Sequence, residues 1–163
     1  MPEIILIAAI DKNNAIGYKN RLLYRIPSDL KRFKEMTTGH TVMMGRKTFE
    51  SLPKGALPNR RNIVLSHSRK ETYQNTEIYA SIQEALDSCK DSEKVFIIGG
   101  EQIYNIAIEF ANKLELTEIN ATTSEADAFF PKVDKSIWRE TQREKHSALE
   151  TLSFDYDYVT YTK

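Results

Sequence analysis

Two apolar runs in this chain stop at glycine and give way at once to helix-forming sequence, and that pattern restricts the fold more than any other feature. Residues 41–44 lead into Gly45 and then Arg46-Lys47-Thr48-Phe49-Glu50-Ser51-Leu52; residues 94–98 lead into Gly99-Gly100 and then Glu101-Gln102-Ile103-Tyr104. The first run is four residues long and the second five, too short for ordinary helices. Residues 3–10, an isoleucine-rich run without alternation, read as a central parallel strand covered on both faces. Further strands are expected over 62–66, 77–80 and 113–122, with a helix opened by the capping box Ser81-Ile82-Gln83-Glu84 and continuing to about residue 90. Residues 138–142 and 154–161 read as a terminal hairpin. Strand and helix alternating in this way predict an α/β fold: one domain over residues 1–163, with a mostly parallel central sheet of about eight strands, an antiparallel C-terminal edge and about four flanking helices. Ligands in such sheets sit beyond the carboxyl ends of the strands, so Gly45 and Gly99 are expected to face one crevice.

Residues 22–36 add an acid to that crevice. Pro27 suits a first helical turn, and Ser28 and Asp29 are expected to accept the unpaired N–H groups there. Ile26, Leu30, Phe33 and Thr37 recur at helical spacing and form the inward stripe, while Lys31, Arg32, Lys34 and Glu35 fill the opposite side. Asp29 borders the stripe one turn before Phe33, so carboxylate and ring share a face and suit a flat molecule with a polar edge. A first-turn aspartate more often simply favours the helix N-terminus electrostatically, and local pattern alone prefers that role. The preceding residues 11–19, polar and carrying Gly17 with Asn13 and Asn14, read as a mobile loop able to close over the pocket as a lid.

Composition removes several classes of function. Twenty-three basic residues balance 23 acidic ones, so no global field holds nucleic acid or an anionic membrane. Cys89 is the only cysteine, which excludes an intrachain disulfide and a cysteine zinc cluster and suits the reducing cytoplasm. The N-terminal apolar run is too short to span a bilayer. His40, His67 and His146 are scattered, and neither an HExxH, a GxSxG nor a Walker-type GxxxxGK appears. What remains is one sheltered acid, apolar walls and two glycine turns suited to anions. That set fits redox chemistry in which a nucleotide cofactor carries the electrons and the protein supplies placement and a proton.

Taken in order, Ile7-Ala8-Ala9, Ile16-Gly17, the segment from Ile26 to Phe33, Met44 to Ser51, Leu57 to Asn62, Ile97-Ile98-Gly99-Gly100, Ile103-Tyr104 and Phe130-Pro131 resemble the dihydrofolate reductase family over nearly the whole chain. The resemblance implies hydride transfer from NADPH to the pterin ring of 7,8-dihydrofolate, in a cytoplasmic monomer that antifolates such as trimethoprim or methotrexate-like compounds would inhibit. Asp29 matches the acid that holds the pterin 2-amino group and N3 and promotes protonation at N5. Leu22 takes the place of the common lid methionine and Tyr24 that of the usual tryptophan, both counted as catalytic positions; Leu23 stands where many members have proline. On the substrate side, Ile7, Ala8, Leu30 and Ile98 match positions around the pterin, Phe33, Leu52 and Leu57 the apolar walls, and Thr117 the threonine bonded to Asp29. Arg60 matches the arginine that pairs with the α-carboxylate of the glutamate tail.

For the cofactor, the resemblance places Ala9, Ile16 and Tyr104 around the nicotinamide, counts Gly17, Ile98 and Ile103 as further cofactor-binding positions, and makes Gly99 and Gly100 a close-approach pair joined by a cis peptide. Gly45 with Arg46, Lys47 and Thr48 matches the phosphate-binding turn, and Leu65, Ser66 and His67 the adenosine side. Glu101 and Gln102 follow the double glycine where many relatives have a small residue and a base. Two other readings fit the same residues: an NADPH reductase of another pterin-like or pyrimidine heterocycle, which Arg60 argues against, and a binding module that retains the pocket without turnover.

Overall fold

Strand β1 (Glu3–Ile10) is the axis of an eight-stranded sheet, in a computed structural model that describes residues 1–68, 72–148 and 154–163. Parallel neighbours flank it on both sides: β7 (Lys94–Ile97) pairs Ile5 with Phe96, and β8 (Lys113–Ile119) pairs Ala9 with Thr117. Beyond β7 lie β4 (Thr41–Gly45), β5 (Arg61–Leu65) and β6 (Glu77–Tyr79), all parallel. Beyond β8 the chain returns as β11 (Tyr156–Thr162) and β10 (Arg139–His146), both antiparallel. The mostly parallel sheet with an antiparallel C-terminal edge is the expected one. Strand β10 extends four residues past the predicted end, and the connections containing residues 69–71 and 149–153 lie partly outside the described residues.

Both faces of the sheet are covered, as the unbroken apolar run of β1 requires. Ile4 and Leu6 pack on α3 (Ile82–Asp87) and α4 (Glu101–Ala107), whereas Ile5 and Ile7 meet α1 (Pro27–Thr37) and α2 (Arg46–Glu50). Successive strand side chains point to opposite faces, so one eight-residue segment serves both helix layers. At α3 the capping box forms: Ser81 Oγ accepts the Glu84 N–H at 3.1 Å. The helix ends at Asp87, three residues before the expected stop.

Residues 11–19 differ from the expected open loop. They contain β2 (Ala15–Tyr18), which pairs with β3 (Arg21–Leu22) and with β9 (Ala128–Phe129) in a separate three-stranded sheet. The cause is the two-residue turn between β2 and β3: Lys19 and Asn20 both have positive φ, 51° and 62°, the geometry whose twist matches a tight hairpin. A Cβ on Gly17 would lie 3.2 Å from the Arg21 carbonyl oxygen, so a larger residue there would press on the hairpin backbone.

The start of α1 also departs from the reading of its sequence. Ile26 is the N-cap, in extended conformation with no side-chain cap, and Pro27 fills the first helical position. Ser28 and Asp29 do not cap because tertiary partners claim them. The Ser28 hydroxyl lies 2.7 Å from the Tyr156 hydroxyl, and Asp29 meets β8.

Candidate active site

Helix α1 lies against β8 so that Asp29 reaches Thr117, a buried residue whose hydroxyl donates to Asp29 Oδ1 at 2.5 Å. Burial raises the Asp29 pKa above the ordinary carboxyl range, while the Thr117 hydrogen bond and the Arg32 charge pull it back. One turn later Phe33 joins Leu52, Leu57 and Ile98 as half-buried members of the apolar cluster built on Ile5, Ile7 and Phe49. The cluster therefore offers an apolar wall beginning one turn from the acid.

The wall runs toward Arg60. Its Nε donates to the Pro58 carbonyl at 2.9 Å and its Nη1 to the Thr37 hydroxyl at 3.0 Å, and the Thr37 hydroxyl itself donates to the Phe33 carbonyl. Among the described residues Arg60 has no carboxylate partner, and burial lowers its pKa. A fixed, half-buried guanidinium without a counter-charge suits an anionic ligand group.

The glycine-marked strand ends do meet. The Gly45 N–H donates to the Gly99 carbonyl at 2.9 Å, and the Gly99–Gly100 peptide is cis. A Cβ on Gly99 would lie 3.2 Å from Thr48 Oγ1, one on Gly100 3.3 Å from the same atom, and one on Gly45 3.4 Å from Ile103 Cγ1. These three glycines thus make a floor of bare backbone at the carboxyl ends of β4 and β7. Tyr104 stands behind it, its hydroxyl donating to the Ile7 carbonyl at 2.7 Å, with Ala8, Ile16, Ile103 and Leu65 in the same cluster. Between the β2–β3 turn and α2 a cleft of about 220 Å³ is lined by Lys19, Asn20, Arg21, Lys47, Glu50 and Ser51.

A model of the family described as dihydrofolate reductase matches residues 3–163. The dihydrofolate reductase of Bacillus subtilis strain 168 is 38% identical over 160 residues, covering 98% of this chain and 94% of that protein. That of Neisseria gonorrhoeae is 41% identical over 161 residues, covering 99% and 98%. The chain belongs to the dihydrofolate reductase family. Among solved structures, dihydrofolate reductase from Enterococcus faecalis complexed with NADP(H) and RAB-propyl superposes with a TM-score of 0.90 at 32% identity, covering 98% of this chain and 95% of that one.

Other predicted positions are placed as follows. Leu22 is 70% exposed on β3, and Leu30 is 38% exposed on α1. Ala9 and Tyr24 pack with Ile26, Ile119, Tyr156 and Tyr158 on the β8–β11 side. Arg46 is engaged by Glu50 at 2.9 Å, whereas Lys47 is exposed. Glu101 Oε1 accepts the Phe129 N–H at 2.6 Å, tying α4 to the three-stranded sheet, and Gln102 is exposed. Ser66 is buried beside β6, with its N–H on the Tyr79 carbonyl at 3.0 Å, and His67 is exposed.

Two polar devices of this reductase-family chain escape the sequence reading. Buried Asp11 accepts the N–H groups of Asn13 and Ala15, both at 2.9 Å, and the Tyr24 hydroxyl at 3.1 Å, bracing both ends of the β2–β3 hairpin. Burial and the Asp11 carboxylate together push the Tyr24 phenol up to about 12, so it remains a donor at working pH. The other device is Arg32, placed by helical spacing on the solvated side. Its Nη2 reaches Glu115 Oε2 at 3.2 Å because β8 carries a buried carboxylate that needs a cation. A lone Asp in a polar loop and a Glu within an apolar strand are the only sequence signals for either device.

Proposed function

We propose that this protein reduces 7,8-dihydrofolate to 5,6,7,8-tetrahydrofolate with NADPH as reductant, and that Asp29 is the acid at the reacting ring. The observation that carries this reading is one half-buried carboxyl, fixed by Thr117, at the head of an apolar wall that runs toward an arginine lacking a carboxylate partner among the described residues. A ligand that is flat, cationic at one edge and anionic at its tail complements both charges. Asp29 binds the amino edge of the pterin, Phe33, Leu52, Leu57 and Ile98 cover its apolar body with Ile7 and Ala8 behind, and the Arg60 fork receives the α-carboxylate.

The residues present also suit NADPH. Gly45, Gly99 and Gly100 give backbone without side chains, as a closely laid dinucleotide needs, and the basic Lys19, Arg21 and Lys47 beside α2 attract phosphates. We assign Gly45, Lys47, Thr48 and the backbone at Glu101 and Gln102 to the phosphates, Leu65, Ser66 and His67 to the adenosine side, and Ala9, Ile16, Gly17, Ile103 and Tyr104 to the nicotinamide side. When bound, NADPH supplies the hydride. The protein's part is to hold the ring, exclude water and keep a proton near N5. Burial favours the protonated Asp29, and Thr117 and Arg32 limit that preference so that the group can also ionise against a cationic ring.

We further read the protein as a cytoplasmic monomer and a target of trimethoprim-like and methotrexate-like antifolates, which would engage the same Asp29 and Phe33. No described helix is long and apolar enough to cross a membrane. The decisive experiment follows NADPH absorbance with dihydrofolate for wild type and Asp29→Asn across pH. The variant is expected to lose most turnover while NADPH still binds; unchanged turnover would overturn the assignment.

A further inference from the structure

We propose that Arg32 and Glu115 form a buried charge pair whose balance sets the pH at which Asp29 releases its proton, making both positioning residues for the reduction proposed above. The inference rests on Asp29 being the acid of that reaction. It starts from a repeat in the way α1 meets β8. Asp29 and Arg32 are three residues apart on one helix face, and Thr117 and Glu115 are two apart on one strand face. Thr117 takes Asp29 and Glu115 takes Arg32, so the acid and the cation are docked as a unit on adjacent rungs of the same strand.

A second layer fixes the cation. Strand β11 places Tyr158 opposite Thr117 and Thr160 opposite Glu115. The Thr160 hydroxyl donates to Glu115 Oε2 at 2.8 Å, the same oxygen that accepts from Arg32, and the Arg32 guanidinium carbon lies 4.2 Å from the Tyr158 ring centroid. Glu115 is 6% exposed, and a carboxylate buried that deeply is strongly destabilising unless paired. Arg32 is therefore held inside, its side chain 23% exposed, while its neighbours Lys31 and Lys34 point to water.

The groups around Asp29 come from three elements. They are Ser28 and Arg32 on α1, Thr117 on β8 with Glu115 behind Arg32 in the pairing chain, and Tyr156 and Tyr158 on β11. Tyr24 borders the same cluster from the segment before α1. Arg32 is the cation acting on Asp29, and it favours the ionised acid against the burial that opposes it. Glu115 pairs with Arg32 and stands two residues before Thr117 on β8, so its charge is expected to act on Asp29 with the opposite sign.

That opposition gives the test. The pH dependence of kcat/KM for dihydrofolate, and in parallel the ¹³C carboxyl shift of Asp29 in the ligand-free protein, assigned as the signal missing from Asp29→Asn, are followed in four variants. Arg32→Gln removes the cation, so the alkaline limb and the carboxyl titration should both move up, by roughly half a pH unit for one partly screened charge a helical turn away. Glu115→Gln leaves the cation unscreened and should move both down. The double variant should return near wild type, and Arg32→Lys, which keeps the charge, should stay there. A merely structural pair would lower activity in both single variants without opposite displacements. Displacements of the same sign, or none, overturn the proposal. If Asp29→Asn keeps full turnover, the acid's role fails instead, and the carboxyl titration still decides whether the pair tunes Asp29.

Discussion

Replacing Asp11 by alanine should separate the lid from the rest of the protein. Three donors would lose their acceptor at once. The Asn13 N–H is exposed and finds water, so its loss is small. Ala15 is fully buried, and its N–H left unsatisfied costs about 1–3 kcal/mol. The half-buried Tyr24 hydroxyl adds about 1 kcal/mol, and forfeiting the charge-assisted character of all three bonds brings the total to about 3–4 kcal/mol. That is a large share of a typical stability of about 5–15 kcal/mol. Asp11→Asn keeps a carbonyl oxygen for both backbone N–H groups and should cost only about 1 kcal/mol. Urea denaturation, followed by the fluorescence of buried Trp138, measures the global loss, and amide exchange at Ala15 measures local opening of the hairpin. If the alanine variant stays within about 1 kcal/mol of wild type and its Ala15 amide remains protected, Asp11 does not brace the lid and the reasoning is wrong.

Further expectations concern the two ends of the pocket. Because burial raises the Asp29 pKa in the folded protein, ionising it above that pKa costs stability, and the cost vanishes at pH low enough to protonate the acid in the unfolded chain as well. Asp29→Asn, inactive by the reading above, should therefore unfold at higher urea than wild type at pH 7, with the gain shrinking as pH falls toward 4; a gain that grows on acidification would contradict the sign. Arg60→Lys keeps the charge but loses the fork, and it should raise KM for dihydrofolate by about tenfold with kcat little changed, as expected for a binding contact equal in ground and transition states. An unaltered KM would favour a substrate without a carboxylate tail.

Much of the fold was legible before any coordinates. The uninterrupted run Glu3–Ile10 announced a strand covered on both faces, and Ile4 with Leu6 on one side and Ile5 with Ile7 on the other bear that out. The glycine stops at Gly45 and Gly99 announced strand ends beside helices, and the shared face of Asp29 and Phe33 followed from helical spacing alone. These features depend on residues close in sequence, where backbone geometry fixes which side chains are neighbours.

What stayed illegible depends on partners far along the chain. Helical spacing put Arg32 in water, but Glu115, 83 residues later, holds it inside. Capping rules gave Ser28 and Asp29 to the helix start, yet Tyr156 and Thr117 claim them across separations of 128 and 88 residues. The Glu101 side chain, at an exposed-looking helix start, accepts the N–H of Phe129, 28 residues later. In each case a polar group had a local option of nearly equal worth, water or a free backbone N–H. Local sequence thus determined the strands of the main sheet, the helices and the placement of the acid, but not the small β2–β3–β9 sheet; the packing of α1 onto β8 and β11 decided which charges that acid would feel, because only burial makes one polar partner much better than water.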